Sequence, residues 1–247
     1  MKHRWLGMAS GLVLGFVFST FVIAQNAPTV QKEKPQGPYA RIGFFRALDG
    51  HWLEMETGYV RHLDWHRRAK DPWAWYGYTV LPSTEREAWI LYATFGRSAA
   101  ELGSPVAPAE DWSDALTTLF PHAKLLEDGI YEFLPALSRG DGVPTPTLCA
   151  EYTTVELNRG TSKIFEAALA GEKSKLQGET LWYRLVVGGN TPRYVRLRPR
   201  SSLALILDER ADQALPDKVI GLISTIKTEA LNLRPDFLVN VTPVVAH

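Results

Sequence analysis

The sequence contains a single cysteine, Cys149, so the chain cannot form an internal disulfide. It also lacks a charge imbalance, because 27 Lys and Arg residues face 27 Asp and Glu residues. A balanced chain offers no electrostatic reason to bind nucleic acid or an anionic membrane surface. Cys149 lies in the apolar setting "TLCAEY", which favours a buried small side chain over a reactive thiol.

Familiar catalytic and nucleotide-binding motifs are missing as well. There is no Gly-x-Ser-x-Gly turn of the serine hydrolase type and no Gly-x-x-x-x-Gly-Lys phosphate loop. The run "VVGGNTP" is rich in glycine, but a strand follows it rather than a helix. It therefore predicts a hairpin turn, not a dinucleotide site.

A long uncharged segment is present at the N-terminus. Lys2, His3 and Arg4 precede 20 residues without charge that end in "FVIA". A basic start, an apolar middle and small residues at the end predict a secretory signal peptide over residues 1–24. An uncleaved membrane anchor is the alternative, because 20 such residues can span a bilayer. If the segment is cleaved, we expect no membrane contact from the mature chain.

Export sets the expected compartment of the remaining 223 residues. They carry 25 Lys and Arg against 27 Asp and Glu, a formal charge of −2. An exported protein without internal disulfides must be held together by its hydrophobic core, which suits the bacterial periplasm or secretion. Residues 25–37 show no apolar periodicity and are expected to form a flexible lead-in.

The first half of the folded part is expected to follow the order strand, helix, strand, strand, helix. "YARIGFFRA" is prone to form a strand, and "HWLEMETGYVRHLDWHRRA" has apolar and aromatic residues at spacings of three and four, which predicts an amphipathic helix. "WAWYGYTVL" and "EAWILYATF" predict two strands. "AEDWSDALTTLFPHAKLL" then predicts a second helix.

The second half predicts the same order of elements. "CAEYTTVEL" is a strand and "TSKIFEAALAGEKSKLQ" a helix, followed by the strand pair "TLWYRLVV" and "RYVRLRP". "ALPDKVIGLISTIKTEALNL" has an apolar stripe at helical spacing and predicts a final amphipathic helix. The residues of this stripe are Val219, Leu222, Ile223, Ile226 and Leu231.

Matching landmarks indicate that the chain is an internal repeat. Gly50 precedes the first helix and Gly160 the corresponding helix of the second half. A Trp-Tyr pair follows 25 residues after the first glycine and 22 residues after the second. We therefore expect two repeats, at residues 38–140 and 141–247.

Each half has the β-α-β-β-α order of a ferredoxin-like unit. Helices cover one face of each antiparallel sheet, and the other apolar face needs the sheet of the second unit to shield it from water. The sequence thus predicts an α+β fold in which the sheets of two tandem units pack together. "FFRALDGHWLEMETGYVRHL" followed by "WYGYTV" resembles the dimeric α/β-barrel superfamily, which includes antibiotic-biosynthesis-type monooxygenases and NIPSNAP-like proteins. The resemblance covers roughly residues 38–245 and implies a barrel with both units in one chain. It implies no catalytic residues, because none can be matched one by one.

Two histidines in the first predicted helix are candidate functional residues. His62 and His66 lie four residues apart, so their imidazoles share one face. The spacing suits a metal ion, with Asp64, His51 or Glu54 as a further ligand. However, the order His-Leu-Asp-Trp-His is not the His-Glu-x-x-His of metalloproteases. We expect no metal, and interpret the pair as a polar helix face or, in an enzyme, as proton acceptors.

Haem is also not expected, and no cofactor is predicted. Some families with this architecture hold haem through a histidine of the C-terminal half. Here that half has no histidine before the last residue, His247. A histidine of the first half, such as His122, could in principle take that role.

Aromatic side chains concentrated in the first half predict a ligand pocket. Alternation along the strand places Trp73 and Trp75 on one face and Ala74, Tyr76 and Tyr78 on the other. One face should contact the helices and the other the barrel interior. Aromatic rings, tyrosine hydroxyls and imidazoles would accept a flat, mostly apolar molecule, although plain core packing is the alternative. The predicted ligand-binding residues are Trp52, Tyr59, His62, His66, Trp75, Tyr76 and Tyr78.

Four arginines in "RYVRLRPR" form a second, weaker candidate. Arg193, Arg196, Arg198 and Arg200 could clamp a carboxylate or phosphate. A solvated strand surface, or pairing with acids such as Glu179, Asp208 and Glu209, is the favoured interpretation.

Three functions remain open from the sequence. The first is an exported protein that binds a small apolar or aromatic ligand in a pocket of the first repeat. The second is a cofactor-independent monooxygenase-like enzyme with His62 or His66 as the base. The third is a protein–protein interaction module of the cell envelope. The oligomeric state cannot be inferred from the sequence.

Overall fold

The computed structural model describes residues 34–81, 89–208 and 215–244. The predicted signal peptide and residues 25–33 of the predicted lead-in lie outside the described residues. Across the described ranges, the helices are all too short or too polar to cross a membrane.

The secondary structure elements extend through both halves of the chain. The first half contains β1 (Tyr39–Ala47), α1 (Trp52–Arg68), β2 (Tyr76–Leu81), β3 (Trp89–Arg97), α2 (Ala99–Leu102), α3 (Pro108–Thr118) and β4 (Ala123–Phe133). The second half contains β5 (Cys149–Leu157), α4 (Ser162–Ala170), β6 (Leu181–Val187), β7 (Arg193–Arg200), α5 (Leu203–Asp208), α6 (Asp217–Ile220) and β8 (Ile223–Leu233). Single 3₁₀ turns occur at Lys173–Lys175 and Pro235–Phe237.

The strands close into one antiparallel barrel in the order β1-β3-β2-β8-β5-β7-β6-β4. Each half contributes four neighbouring strands, β4-β1-β3-β2 and β8-β5-β7-β6, in the order of a ferredoxin-like unit. The halves join where β2 pairs with β8 and where β4 pairs with β6. The predicted α+β fold of two tandem ferredoxin-like units is therefore confirmed.

Both helices predicted at the ends of the halves are partly wrong. In the first half α3 stops at Thr118, and β4 begins at Ala123. Pro121 lies between them and cannot continue a helix, because it lacks the N–H that a helix interior requires. Each unit therefore ends in a fourth strand that the sequence analysis missed.

In the second half, the predicted helix over "ALPDKVIGLISTIKTEALNL" is replaced by the short α6 and by β8. Ile226, part of the apolar stripe, is 51% exposed, while Leu231 and Leu233 alternate into the core. β8 pairs with β5 over most of its length and with β2 at its C-terminal end. Pairing with two neighbouring strands overrides the helical spacing of the apolar residues.

Equivalent landmarks of the two halves lie in equivalent places. Gly50 and Gly160 both adopt a positive φ, of 79° and 82°, just before α1 and α4. Trp75 and Trp182 face the helices, whereas the tyrosine that follows each of them faces the barrel interior. The boundary at residue 140 stays a prediction.

Aromatic rings from both halves fill the barrel interior. Phe44 meets Tyr152 edge-on with ring centroids 5.4 Å apart, and Phe95 lies 5.2 Å from Tyr76 and 5.7 Å from Tyr183. The interior also contains Tyr78, Tyr131 and many aliphatic side chains. Cys149 is buried at the start of β5, as its apolar setting predicts.

The arginines of β7 are not a solvated surface. Arg196 and Arg198 are buried and both contact Glu151, at 2.6 and 3.4 Å, and the Glu151 side chain is fully buried. The sequence analysis expected acidic partners but did not single out Glu151. It is placed beside β7 by the pairing of β5 with that strand.

Candidate functional site

A pocket lies in the first half between α1, α3 and the outer face of the sheet. Its volume is about 90 Å³. Side chains of β1, β3 and β4 form its floor, and those of α1 and α3 form its walls. It therefore lies on the helix-covered side of the sheet and not inside the barrel.

Helix α1 presents its buried face to this pocket. Tyr59, Leu63 and His66 are buried at spacings of four and three, which keeps them on one side of the helix. Gly58 lies against α3, because a Cβ atom there would be 2.0 Å from the carbonyl oxygen of Thr118. The two helices thus meet at backbone contact, which brings the polar residues of α3 within reach of the α1 histidines.

His62 lies beside two carboxylates of α3. Its Nδ1 lies 2.9 Å from Asp114 Oδ2, and its Nε2 lies 3.3 Å from Asp111 Oδ1. Because an ionised carboxylate only accepts hydrogen bonds, Nδ1–H donates to Asp114. Burial lowers the pKa of His62, and the neighbouring His66 lowers it further, although both carboxylates act in the opposite direction.

His66 is oriented by Asp71, which follows α1. Its Nδ1 lies 2.8 Å from Asp71 Oδ2, and the same oxygen accepts a 2.8 Å hydrogen bond from Trp75 Nε1. The backbone N–H of Trp73 donates to the other oxygen at 2.9 Å. Burial raises the pKa of Asp71, but these three hydrogen bonds outweigh it, and the net pKa lies below its ordinary value. A charged Asp71 therefore fixes the orientation of the His66 ring.

Three side-chain atoms converge at this end of the pocket. His62 Nε2, His66 Nε2 and Asp111 Oδ1 all lie within 4.8 Å of one another. His66 Nε2 is 3.6 Å from Asp111 Oδ1, which is buried and accepts no hydrogen bond. The arrangement offers three potential ligand atoms with the pocket beside them.

Neither Asp111 nor Asp71 is among the candidate residues predicted from the sequence. The candidate third ligands lie elsewhere, since Asp64 pairs with Arg67 and His51 contacts His122 through Nδ1 atoms 3.1 Å apart. Glu54 is exposed in the first turn of α1. The available signal was the pair of aspartates three residues apart in "EDWSD", on a helix that must return to the same sheet face.

Aromatic rings form most of the apolar wall. Phe45 meets Tyr59 edge-on with ring centroids 5.0 Å apart. The Tyr92 ring lies over Gly43, where a Cβ atom would be only 2.4 Å from the ring. The buried Tyr59 hydroxyl has no hydrogen-bond partner, and burial raises the pKa of this tyrosine well above its ordinary value. Tyr59 therefore contributes a neutral phenol whose buried hydroxyl is unused by the protein.

A second polar group closes the floor. Arg41 donates two hydrogen bonds to Asp128, from Nε at 2.9 Å and from Nη2 at 2.6 Å. Such a bidentate pair is geometrically specific and fixes both side chains. Burial and the adjacent Asp128 carboxylate raise the pKa of Tyr92, so its hydroxyl also stays neutral.

The structure brings four of the seven predicted ligand-binding residues to the pocket: Tyr59, His62, His66 and Trp75. Tyr76 and Tyr78 lie on the opposite sheet face and fill the barrel interior, as the alternation of the strand requires. Trp52 packs at the start of α1 against the adjoining core. The role of each residue in binding or catalysis stays a prediction.

Comparisons with known proteins locate the fold but not the function. No protein-family model matches the sequence, and no curated protein matches it. A structure from Fusobacterium nucleatum, provisionally assigned as a monooxygenase, has a TM-score of 0.57 at 10% identity and covers 80% of this chain and 92% of its own. A second provisional monooxygenase, from Lactobacillus acidophilus, has a TM-score of 0.51 at 11% identity, covering 84% of this chain and 99% of its own.

A third structure, of an anthrone oxidase-like protein, has a TM-score of 0.53 at 13% identity and covers 81% of this chain and 92% of its own. At these identities the likenesses concern the fold alone. They support the dimeric α/β-barrel architecture that the sequence predicts, with both units in one chain.

Proposed function

We propose that the protein binds a small, flat, mostly apolar molecule with one polar group in the pocket between α1, α3 and the sheet. The observation that carries this proposal is the Tyr59 hydroxyl, which is buried in an aromatic wall without a hydrogen-bond partner. A buried hydroxyl left unpaired costs about 1–3 kcal/mol. A ligand that hydrogen-bonds to it would recover much of that cost.

The size and shape of the pocket restrict the ligand class. About 90 Å³ corresponds to roughly three water molecules, whereas a closed cavity of about 150 Å³ holds benzene. One aromatic ring therefore fits if it reaches partly into solvent. Trp112 of α3, which lines the pocket, is 55% exposed and marks the open side. The proposed ligand is a hydroxylated single ring, or a larger flat molecule that inserts such a ring.

Flatness follows from the walls. Phe45, Trp75 and Tyr92 line the pocket with ring faces and edges, and aromatic partners in such arrangements contribute about 0.5–1.5 kcal/mol beyond buried area. A saturated ring of equal size presents no such π-system. We therefore expect the pocket to discriminate an aromatic ring from a cyclohexane ring.

The test uses 4-fluorophenol as the probe, with binding followed by its fluorine NMR signal. Wild-type protein should broaden and shift the signal in a saturable way, and trans-4-fluorocyclohexanol should bind at least about 10-fold more weakly. Tyr59→Phe should weaken the binding of 4-fluorophenol about 5- to 10-fold, which corresponds to one ordinary hydrogen bond.

Tyr152→Phe is the matched control. Tyr152 also has a buried hydroxyl without a partner, but it lies in the barrel interior and not at the pocket. It should leave the affinity unchanged. The proposal fails if the probe does not bind, or if both variants change its affinity equally.

A cofactor-independent monooxygenase-like activity is the second candidate. Its support is the likeness to structures provisionally assigned as monooxygenases, together with a His66 ring that Asp71 orients toward the pocket. Oxygen uptake in the presence of hydroxylated aromatic compounds tests it. Binding without oxygen uptake favours the binding protein, and uptake that depends on His66 favours the enzyme.

We also propose that the protein acts outside the cytoplasm, on the basis of residues 1–24 alone. Fractionation of bacterial cells that express the full chain and a chain lacking residues 1–24 tests this. The full chain should appear in the periplasmic or secreted fraction and the shortened chain in the cytoplasm. Equal distribution of both would contradict export. An envelope protein–protein contact remains an alternative role for the exported chain.

A further inference from the structure

We infer that His62 Nε2, His66 Nε2 and Asp111 Oδ1 form a binding site for a divalent first-row transition metal ion at the polar end of the pocket. The inference goes beyond the binding of an aromatic ligand and does not depend on it. It also revises the sequence-based expectation that the histidine pair holds no metal.

The two distances from Asp111 to the histidines match a metal coordination shell, and the two imidazole nitrogens lie within 4.8 Å of each other. Asp111 Oδ1 lies 3.3 Å from His62 Nε2 and 3.6 Å from His66 Nε2. Zinc binds imidazole nitrogen and carboxylate oxygen at about 2.0–2.2 Å, so two ligands of a tetrahedral ion lie roughly 3.4 Å apart. Both separations are close to this value without any movement of the backbone.

The other nitrogen of each imidazole is already held by a carboxylate. Asp114 accepts from His62 Nδ1 at 2.9 Å, and Asp71 accepts from His66 Nδ1 at 2.8 Å. This carboxylate–histidine pairing is the outer shell that metal-binding histidines usually have, because it fixes the tautomer and the ring orientation. When a ring is neutral with Nδ1 protonated, the lone pair of its Nε2 turns toward Asp111.

The result is a cluster of three potential acceptor atoms. Two imidazole lone pairs and a carboxylate oxygen face one another, and Asp111 Oδ1 is buried without a hydrogen bond. Arg41 on the floor interacts electrostatically with Asp111, but it donates its two hydrogen bonds to Asp128. Either a proton on one imidazole or a metal ion must relieve the repulsion among the three atoms. The outer-shell carboxylates and the near-tetrahedral spacing favour the metal ion.

Three protein ligands leave a coordination position open. All three residues line the pocket, so that position faces the proposed ligand site. Two histidines and one carboxylate with an open position are typical of zinc and of non-haem iron centres. A hydroxyl group of a bound aromatic molecule could complete the shell.

The experiment titrates metal-free protein, produced without a histidine tag, with Co²⁺ and then displaces it with Zn²⁺. Visible absorption should report one bound Co²⁺ per chain in a site with fewer than six ligands. Asp111→Asn, which keeps the size of the side chain, and His62→Gln should each weaken binding by on the order of 100-fold or more. Asp114→Asn, which removes only the outer-shell partner, should weaken it roughly 10-fold.

The His51→Ala/His122→Ala double variant is the control, since it removes the other contacting histidine pair of the described chain. It should bind Co²⁺ with wild-type affinity. Folding of each variant is checked by circular dichroism. In the wild-type protein, paramagnetic broadening should centre on the imidazole signals of His62 and His66, which provides a test independent of any variant.

Wild-type affinity in Asp111→Asn, loss of binding in the double variant, broadening centred on His51, or no Co²⁺ binding at millimolar concentration would each overturn the inference. The outcomes are separable from those of the ligand test. If metal-free protein binds 4-fluorophenol but no Co²⁺, only the proposed metal site is refuted. If the protein binds Co²⁺ but not 4-fluorophenol, only the proposed binding of an aromatic ligand is refuted.

Discussion

Replacing Gly58 with alanine tests whether backbone contact between α1 and α3 builds the site. Gly58 lies inside α1, where alanine has a higher helix propensity by about 1 kcal/mol. Propensity alone therefore predicts a more stable protein. The structure predicts the reverse, because the new Cβ atom would be 2.0 Å from the Thr118 carbonyl oxygen and 2.9 Å from its carbonyl carbon.

The magnitude follows from that distance. Cβ contacts shorter than 3.0 Å essentially never occur, so α3 must move away from α1 by at least about 1 Å. Overpacking of this kind typically costs 1–3 kcal/mol, and a clash with rigid backbone belongs at or above the upper end. After subtraction of the propensity gain, we expect a loss of about 2 kcal/mol, or a midpoint of thermal unfolding lower by about 4–8 °C.

The Gly58→Ala substitution should affect metal binding more strongly than it affects the stability of the fold. A displacement of α3 by about 1 Å carries Asp111 away from His62 and His66, whose Nε2 atoms now lie 3.3 and 3.6 Å from it. Metal affinity in Gly58→Ala should therefore fall at least about 10-fold in protein that remains folded.

Gly171→Ala is the matched control for Gly58→Ala. Gly171 is the C-terminal cap of α4, has a negative φ of −65°, and would place its Cβ atom 3.5 Å from the Ala168 carbonyl oxygen, which is ordinary contact. Its unfolding midpoint should stay within about 2 °C of wild type, or rise. Chemical denaturation and thermal scans measure both variants. If Gly58→Ala is as stable as Gly171→Ala and binds Co²⁺ normally, the close contact between α1 and α3 does not position the site.

Three further predictions concern polar and charged side chains away from the pocket. Glu151→Gln should destabilise the protein by about 3 kcal/mol in urea denaturation, because it leaves the buried Arg196 without its 2.6 Å carboxylate partner. Glu132→Gln, in a half-exposed ion pair, should cost less than about 1 kcal/mol, and equal losses would contradict the argument. Ser98→Ala should cost about 1 kcal/mol, since Ser98 and Glu101 form a capping box at α2. Burial raises the pKa of Glu101, but hydrogen bonds from Ser98 outweigh it and lower the net pKa. The stability that this carboxylate adds is therefore present at neutral pH and is lost as the pH falls through the lowered pKa. Glu101→Gln should reduce the loss of stability in acid, and an unchanged acid profile would refute this assignment.

Most helices and strands can be predicted from the sequence because the spacing of their own apolar residues determines which face is buried. The spacing of Tyr59, Leu63 and His66 is visible without any knowledge of α3 or the sheet. The two missed strands are different, because their identity depends on their partners. The N-terminal half of β8 is exposed, and Ile226 lies there at the surface. The apolar residues of β8 therefore do not alternate strictly, and their spacing resembles the apolar stripe of a helix. Pro121 was a usable signal for the end of α3.

The candidate site divides in the same way. His62 and His66 are adjacent because of helical spacing, which the sequence reveals. Asp111 reaches the two histidines only because the chain returns α3 to the same face of the sheet as α1. No short-range sequence pattern predicts this contact between the two helices. Asp71 is close to His66 in the sequence, but the run "DPW" predicts only the end of a helix. The hydrogen bonds of Asp71 with Trp73 and Trp75 depend on the tight turn into β2, which the run does not reveal.

Alternation correctly assigned Trp75 and Tyr78 to opposite faces but could not say which face holds open space. The interior is filled because tyrosine and phenylalanine side chains of two sheets meet there, which is a property of the pair of halves. The helix-covered face keeps its cavity because α3 packs on α1 through a glycine and thus stands beside the sheet floor without filling it.

The two halves share a backbone plan but not a chemistry. Trp75 and Trp182 are equivalent, yet they meet different neighbours on the helix-covered face. Trp75 donates to Asp71 and lies beside His66, whereas the Arg196 guanidinium lies 5.8 Å from the Trp182 ring and pairs with Glu151. The second half therefore has a buried ion pair beside its tryptophan, whereas the first has the convergent side chains of His62, His66 and Asp111. A fold of this kind constrains where a site can form, and the side chains of α1, α3 and the sheet floor decide what the site binds.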